Sequence, residues 1–254
     1  MSVGRDVALT VDVEPDCLPY LGGWRGVRDG MPRLLELFER EGVPATLFVT
    51  GQTAGRFPDL VREAVSAGHE LGCHGDTHER FSAMTASAAR DEIGRASATL
   101  RAIAPTTAFR APYLDFPDRF LPLLVEAGYR MDSSEGAHRI AHRMRAARRG
   151  GALGERAATG VPGGGDAPLR RVPASTTSSA LRLPPRLRDP WLARLVGPVV
   201  LFVHPWEFVD MKGAPIPWDC RAGTGARALA ALREVIALFR ERGARFLRMR
   251  ELPA

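Results

Sequence analysis

His74 and His78 stand four residues apart in the run Gly72-Cys73-His74-Gly75-Asp76-Thr77-His78-Glu79, and Asp12-Val13-Glu14 closes an apolar stretch near the N-terminus. Imidazole and carboxylate together are a donor set for a catalytic divalent ion, which polarises a carbonyl and acidifies a water. That combination points to hydrolysis. The His-x-x-x-His spacing alone is a weak pattern in a chain with six histidines. Gly75 and Asp76 between the imidazoles, with Gly72 just before, make the segment a strand-ending loop rather than a helix. Glu14 is the candidate oxygen ligand, leaving open positions for water and substrate.

The elements that must hold these groups are readable from apolar runs and their punctuation. Val7 to Val13 is rich in β-branched residues and reads as a buried strand, whose alternation puts residues 12 and 14 on one side. Asp29 is the expected cap of a helix through about Glu41, with Pro32 in its first turn and Gly42 beyond it. Ala45 to Thr50 follows as a strand, Pro58 to Ala67 as a helix stopped by Gly68, then a short strand to Cys73 and a long helix from about Thr85 to Ala104. Thr107 to Arg110, Pro117 to Ala127, Val199 to His204, Ala226 to Arg242 and Arg245 to Met249 continue the alternation. Such a rhythm predicts an α/β fold with a largely parallel sheet and reactive groups at the carboxyl ends of its strands. Asp12, Glu14, His74, Arg110 and His204 all fall at such ends. Residues 136–190 break the pattern: 138–151 is basic, 150–168 is rich in Gly, Ala and Pro, and 170–183 reads as a returning strand or an edge. An insertion within one domain spanning residues 1–254 explains this better than a linker, because the strands on both sides carry parts of one site.

In order along the chain, Thr10-Val11-Asp12-Val13-Glu14, His74-Gly75-Asp76-Thr77-His78, Arg110-Ala111-Pro112-Tyr113, Asp132-Ser133-Ser134 and Leu201-Phe202-Val203-His204-Pro205-Trp206-Glu207 resemble the motifs of the polysaccharide deacetylases, carbohydrate esterase family 4. The resemblance runs through about residues 7–135 and again 196–250. It implies a distorted (β/α) barrel and metal-dependent removal of an acyl group from a sugar amide. The usual first motif has two adjacent aspartates, base then ligand; here Val13 takes the second place and Glu14 follows, as in an Asp-x-Glu branch. The base role therefore carries to Asp12 and the ligand role to Glu14, with the exchanged assignment as the alternative.

Amide hydrolysis needs an activated water, a counter-charge for the oxyanion and an acid for the departing amine. Asp12 is the expected base and His204 the expected acid, since imidazole titrates near pH 6.5. By resemblance, the backbone N–H of Tyr113 helps hold the oxyanion, Arg110 orients Asp12 and Asp132 supports His204. The bland alternatives are a surface ion pair for Arg110 or Asp132 and a packed core histidine for His204. Trp206 and Trp218 are candidates for stacking on sugar rings, with core packing equally open. His69 and Cys73 read as structural, and Asp16 as a turn residue rather than a ligand. The glycine-rich 22–30 segment is a candidate flap, and its Arg-Gly stretch is similar to deformylases acting on a lipid-linked amino sugar. On that likeness the arginines at 139, 143, 145, 148 and 149 are candidates for phosphate or peripheral membrane contact.

Composition narrows the setting. The formal charge is +6, but Lys212 is the only lysine, and no nucleic-acid motif accompanies the arginines, so a nucleic-acid partner is not expected. Three widely spaced cysteines, 17, 73 and 220, fit a reducing compartment, and the short polar start is no signal peptide, so a cytoplasmic location is expected. The chemistry favours Zn2+, with Co2+, Ni2+ or Fe2+ also compatible. The expected substrate is an N-acylated amino sugar in a glycan or lipid-linked glycan. The rivals are hydrolysis of a non-sugar C–N bond on the same scaffold and a carbohydrate-binding homologue without turnover.

Overall fold

Strand β1, Asp6–Val13, is buried at every position, which is why it reads as a nearly continuous apolar run. The computed structural model describes residues 6–137, 156–157, 169–195 and 197–253. The basic run from 139 to 149 therefore lies outside the described residues, as do all of 150–168 except 156 and 157. The other strands are β2 (Ala45–Val49), β3 (Glu70–Cys73), β4 (Ala108–Phe109), β5 (Met131–Asp132), β6 (Arg156–Ala157), β7 (Arg170–Arg171), β8 (Val199–Val203) and β9 (Arg245–Phe246). They form a nine-stranded sheet in the order β6-β7-β5-β4-β3-β2-β1-β8, with β9 pairing β1. Every pairing is parallel except β6 with β7. After β7 the chain runs on to β8, where Ser175 N donates to Val200 O at 2.8 Å, curling the sheet into a distorted (β/α) barrel.

Helices α1 (Met31–Glu41), α2 (Gly51–Arg56), α3 (Pro58–Ser66), α4 (Ala86–Arg101), α5 (Leu121–Glu126), α6 (Ser178–Leu181), α7 (Pro185–Leu192), α8 (Trp218–Arg221) and α9 (Ala226–Glu241) accompany the strands. Alternation along β1 decides what meets what. Val7, Leu9, Val11 and Val13 join the large core that includes Leu34, Phe38, Ile93, Val235 and Phe239 from the helices, whereas Ala8 belongs to a second cluster with Phe48, Ala108 and Val200. Asp12 and Glu14 therefore share the face of Ala8, the barrel's inner side.

Several boundaries differ from those expected. Asp29 does not cap α1: residues Gly26–Gly30 form a π-helical turn that runs straight into the helix, and Asp29 instead faces Arg25 at 3.8 Å. Helix α2 was not legible because a six-residue stretch with two glycines has little helical signal; the Thr50 hydroxyl, accepting Thr53 N at 3.1 Å, starts it. The 117–127 segment divides into a 3-10 turn and a shorter helix. Within 170–183 the strand is only two residues long and a short helix replaces the rest. No helix among the described residues is long and apolar enough to cross a membrane.

Candidate active site

The carboxyl ends of β1, β3 and β8 open on a cavity of about 220 Å³ whose walls include Asp12, Glu14, His74, His78, Tyr113 and His204. Parallel register explains how residues distant in sequence meet: Val11 pairs with Val203 and Val13 with Val49, whose partner in β3 is Cys73, so the next residues emerge side by side.

Glu14 lies between two imidazoles. Its Oε2 is 3.2 Å from His74 Nε2 and in direct contact with His78 Nε2, and one donor atom from each of the three lies within 4.8 Å of the others. All three residues are buried. Burial works against the charged carboxylate, but His78, His204 and His74 outweigh it and hold Glu14 well below the usual carboxylate range. His74 Nδ1 donates to Arg110 O at 2.8 Å, which orients the ring with Nε2 toward Glu14, the nitrogen that a cation would take up. A buried anion flanked by two imidazole nitrogens, one with its tautomer fixed, fits a divalent cation.

Asp12 stands apart from this trio. Its Oδ1 accepts from Arg110 Nη1 at 2.7 Å, and Arg110, fully buried, also donates to Thr10 Oγ1 at 2.7 Å and Ser133 Oγ at 2.9 Å. The Arg110 guanidinium stacks over Phe48 at 4.2 Å, so its position is fixed from two sides. Arg110 is thus no surface residue, and it bears directly on Asp12. Tyr113 has φ +60° and Leu114 +51°, two successive left-handed residues that reverse the chain at the cavity wall; the Tyr113 ring meets the His78 ring edge-on.

His204 contradicts one expectation. Asp132 does not reach it: Asp132 pairs with Arg171 Nε at 2.8 Å and with Ser134. The partner is Glu207, whose Oε1 accepts from His204 Nδ1 at 2.8 Å and from His204 N at 2.9 Å. Burial disfavours the imidazolium, but the charges of Glu14 and Glu207 more than offset it, and the His204 pKa is pushed up to about 9. Glu207 is buried too and is kept ionised by Arg182 at 2.9 Å and by His204 itself. The signal for Glu207 was in the sequence: an acidic residue three after a strand-ending residue is the spacing of a capping box.

The remaining candidates sort clearly. Trp206 is buried and stacks on the His204 ring at 5.2 Å, whereas Trp218 is exposed. Asp16 faces its own loop, accepting Arg25 N at 2.8 Å and Gly26 N at 2.7 Å, so it is a turn residue and no ligand. The 22–30 segment is not a flap over its whole length: a Cβ on Gly26 or Gly30 would collide with the backbone of Trp206 or Pro205. His69 accepts Ala45 N through Nδ1 at 3.1 Å, away from the cavity. Cys73 is buried, and burial raises its thiol pKa to about 12, so it is inert packing.

Glu92 was missed. From α4 its Oε1 accepts Asp76 N at 2.8 Å, Thr77 N at 2.7 Å and Thr77 Oγ1 at 3.0 Å, stapling the loop that carries both histidines, where His78 holds φ +64°. A residue fourteen positions beyond that loop on an amphipathic helix gives no local cue.

The curled parallel sheet with this cavity at its strand ends defines a class, and the polysaccharide deacetylase model matches residues 3–131, half of the chain: the protein belongs to the polysaccharide deacetylase family. Among relatives, a peptidoglycan deacetylase of Helicobacter pylori is 36% identical over 108 residues, 41% of this chain and 36% of that protein. A chitooligosaccharide deacetylase of Bradyrhizobium sp. is 32% identical over 127 residues, 49% of this chain and 53% of that one. The chain thus spans about a third to a half of the length of these curated relatives. A candidate polysaccharide deacetylase from Mycobacterium smegmatis shares the fold, with a TM-score of 0.67 at 24% identity over 98% of this chain and 89% of the other.

Proposed function

We propose that the protein is a metal-dependent amide hydrolase that removes an N-acetyl or other small acyl group from an amino sugar. The observation that carries this reading is the Glu14, His74 and His78 trio placed in one cavity with Asp12 and His204. Glu14, His74 and His78 would hold the ion, and zinc suits two imidazoles and a carboxylate. A bound ion would supply acidity to a water and polarisation to the acyl carbonyl. Asp12, oriented by Arg110, accepts the proton of the attacking water. The backbone N–H of Tyr113 donates to the oxyanion. His204, charged through Glu207, gives its proton to the departing amine nitrogen. Asp132 acts at a distance from the reaction, by holding Arg171.

The family and the names of the relatives supply the substrate class, an acetylated amino sugar in a glycan; a lipid-linked glycan is the narrower form of that proposal. Residues 1–254 act as one catalytic domain in this reading, because the sheet draws strands from both ends of the chain. Three free thiols suit a cytoplasmic, reducing setting. The test is His74→Ala with metal content and acetate release measured together. Loss of both is expected, and full acetate release from metal-free protein would sink the mechanism.

A further inference from the structure

Two of the three free thiols, Cys17 and Cys220, line the catalytic cavity together. Cys17 lies in the turn that follows β1, just beyond Glu14, and Cys220 lies in α8. Both pack in one apolar cluster with Trp206, Val209, Met211 and Ile216. Their thiols are hydrogen-bonded to each other. Cys73 has no part in this pair, being buried in the main core, where it interacts with Tyr129. Two thiols that meet from segments distant in sequence have the placement that a disulfide requires.

The place of the pair gives such a bond a consequence. The cavity, at about 220 Å³, falls below the roughly 300–1,000 Å³ of a complete small-ligand site, so its walls must part to admit a sugar amide. Asp12 and Phe202 belong to strands of the sheet and hold their places. The turn with Cys17, Leu18 and Tyr20 and the segment with Cys220 stand outside the sheet. Gly22, Gly223 and Gly225, all at positive φ, flank these two wall segments and give them turning points. A covalent link from Cys17 to Cys220 would hold the two segments at one separation. The α8 segment is also tied to the proton donor: Arg182 donates to the carbonyls of Cys220 and Ala222 at 2.8 and 2.9 Å and pairs with Glu207, the partner of His204.

We propose that Cys17 and Cys220 are a redox modification site: a small-molecule disulfide of the glutathione class oxidises them to an intramolecular disulfide that staples the cavity wall and slows turnover. The effect on turnover rests on the deacetylase reading, whereas the bond itself does not. Cys220, the less buried of the two, reacts first. Its thiolate attacks one sulfur of glutathione disulfide, forming a mixed disulfide and expelling one glutathione thiolate. The Cys17 thiolate then attacks the Cys220 sulfur and expels the second. Two protein thiols are oxidised, one disulfide is reduced to two thiols, and the two protein protons pass to the two leaving thiolates. Burial raises the pKa of both protein thiols, that of Cys17 to about 12, so little thiolate is present and the exchange is slow. Equally, no stabilised thiolate favours the return to the reduced pair. The site therefore answers sustained oxidation and is reset by excess dithiol.

The experiment equilibrates zinc-loaded wild type, Cys17→Ser and Cys220→Ser in reduced or oxidised glutathione and locates the thiols by mass spectrometry of unreduced peptides. Metal-stripped portions of the same samples are followed by hydrogen exchange over residues 15–25 and 213–225, and kcat/KM for acetate release is measured on the N-acetylglucosamine dimer. Oxidised wild type should carry a Cys17–Cys220 link and lack two hydrogens. Its exchange in both segments should slow, and its kcat/KM fall, by about tenfold or more, one decade in an opening equilibrium. Dithiothreitol should reverse all three changes. Cys17→Ser should trap the glutathione adduct on Cys220, and Cys220→Ser should behave alike in both buffers. A glutathione adduct that persists on Cys220 of the wild type, or two thiols that stay free, overturns the pairing. A link that leaves the exchange or the measurable kcat/KM unchanged overturns its control of the cavity. Slowed exchange in samples that release no acetate in either buffer supports the staple and defeats the deacetylase reading alone.

Discussion

His74 and His204 carry the same side chain to the same cavity, and what faces each Nδ1 separates their roles. His74 Nδ1 donates to a neutral carbonyl, which leaves Nε2 for the proposed cation; His204 Nδ1 faces a carboxylate, which favours the imidazolium and suits the proposed proton donor. The role of Glu207 can then be told apart from that of Asp132. Glu207→Gln keeps the size and one hydrogen bond but removes the charge, so kcat should fall by about 10²-fold or more while KM moves little, the scale of losing general acid help. Asp132→Asn leaves His204 untouched and strips a charge from a buried pair with Arg171, so it should cost on the order of 1–3 kcal/mol of stability, read as a lower melting temperature, with a smaller change in kcat. The reverse pattern, with Asp132→Asn killing turnover and Glu207→Gln nearly silent, would restore Asp132 as the partner of the acid.

Among the elements, α4 matters to the site although none of its residues lines the cavity. Glu92 Oε1 takes three donors from the loop between His74 and His78, and Arg95 ties Glu92 to Asp76 from outside. Glu92→Gln should weaken zinc binding by about 10–100-fold, the usual cost of removing support behind a metal ligand, as measured by competition with a chromogenic chelator. An unchanged affinity would mean that the loop holds itself. This also marks how far the sequence could be read. Asp12, Glu14, His74, Arg110 and His204 were legible because each directly follows, or closes, an apolar strand, and strand ends share one rim of the fold. Glu92, Arg171 and Arg182 were not, because their partners are set by how a helix or a returning segment docks, which no local pattern encodes. His69 illustrates an element-scale effect of the opposite kind. Burial, and secondarily Arg248, lowers its pKa, and its Nδ1 accepts the Ala45 N–H at the start of β2. The unfolded chain therefore binds a proton more readily than the fold, so stability is lost as the pH falls below about 6.5 toward the folded pKa. Urea unfolding of wild type and His69→Gln at pH 7.5 and 5.5 checks this: the wild type should lose more stability over that interval, and equal losses would rule out a contribution from His69.

On the scale of the whole molecule, the site is a seam between distant parts of the chain. The family match ends at residue 131, yet the imidazole nearest Glu14 after the two loop histidines is His204, delivered because β8 lies against β1 with Val203 beside Val11. The trio itself spans strands that do not touch: Glu14 follows β1 and His74 and His78 follow β3, with β2 between them in the sheet. An ion gripping both ends would resist the separation of three adjacent strands, and it would also relieve the cost of burying Glu14, whose charge is otherwise met, among the described residues, by imidazoles. An ion that binds only the folded state adds RT ln(1 + [L]/Kd), about 2.7 kcal/mol at a hundredfold excess over Kd. For a chain of this length that corresponds to a rise of roughly 5–10 °C in melting temperature. Differential scanning calorimetry with excess chelator and then with zinc should show that rise in the wild type and none in His78→Ala. An equal rise in both would place the stabilising ion elsewhere, and no rise in either would mean that the trio does not hold zinc with useful affinity.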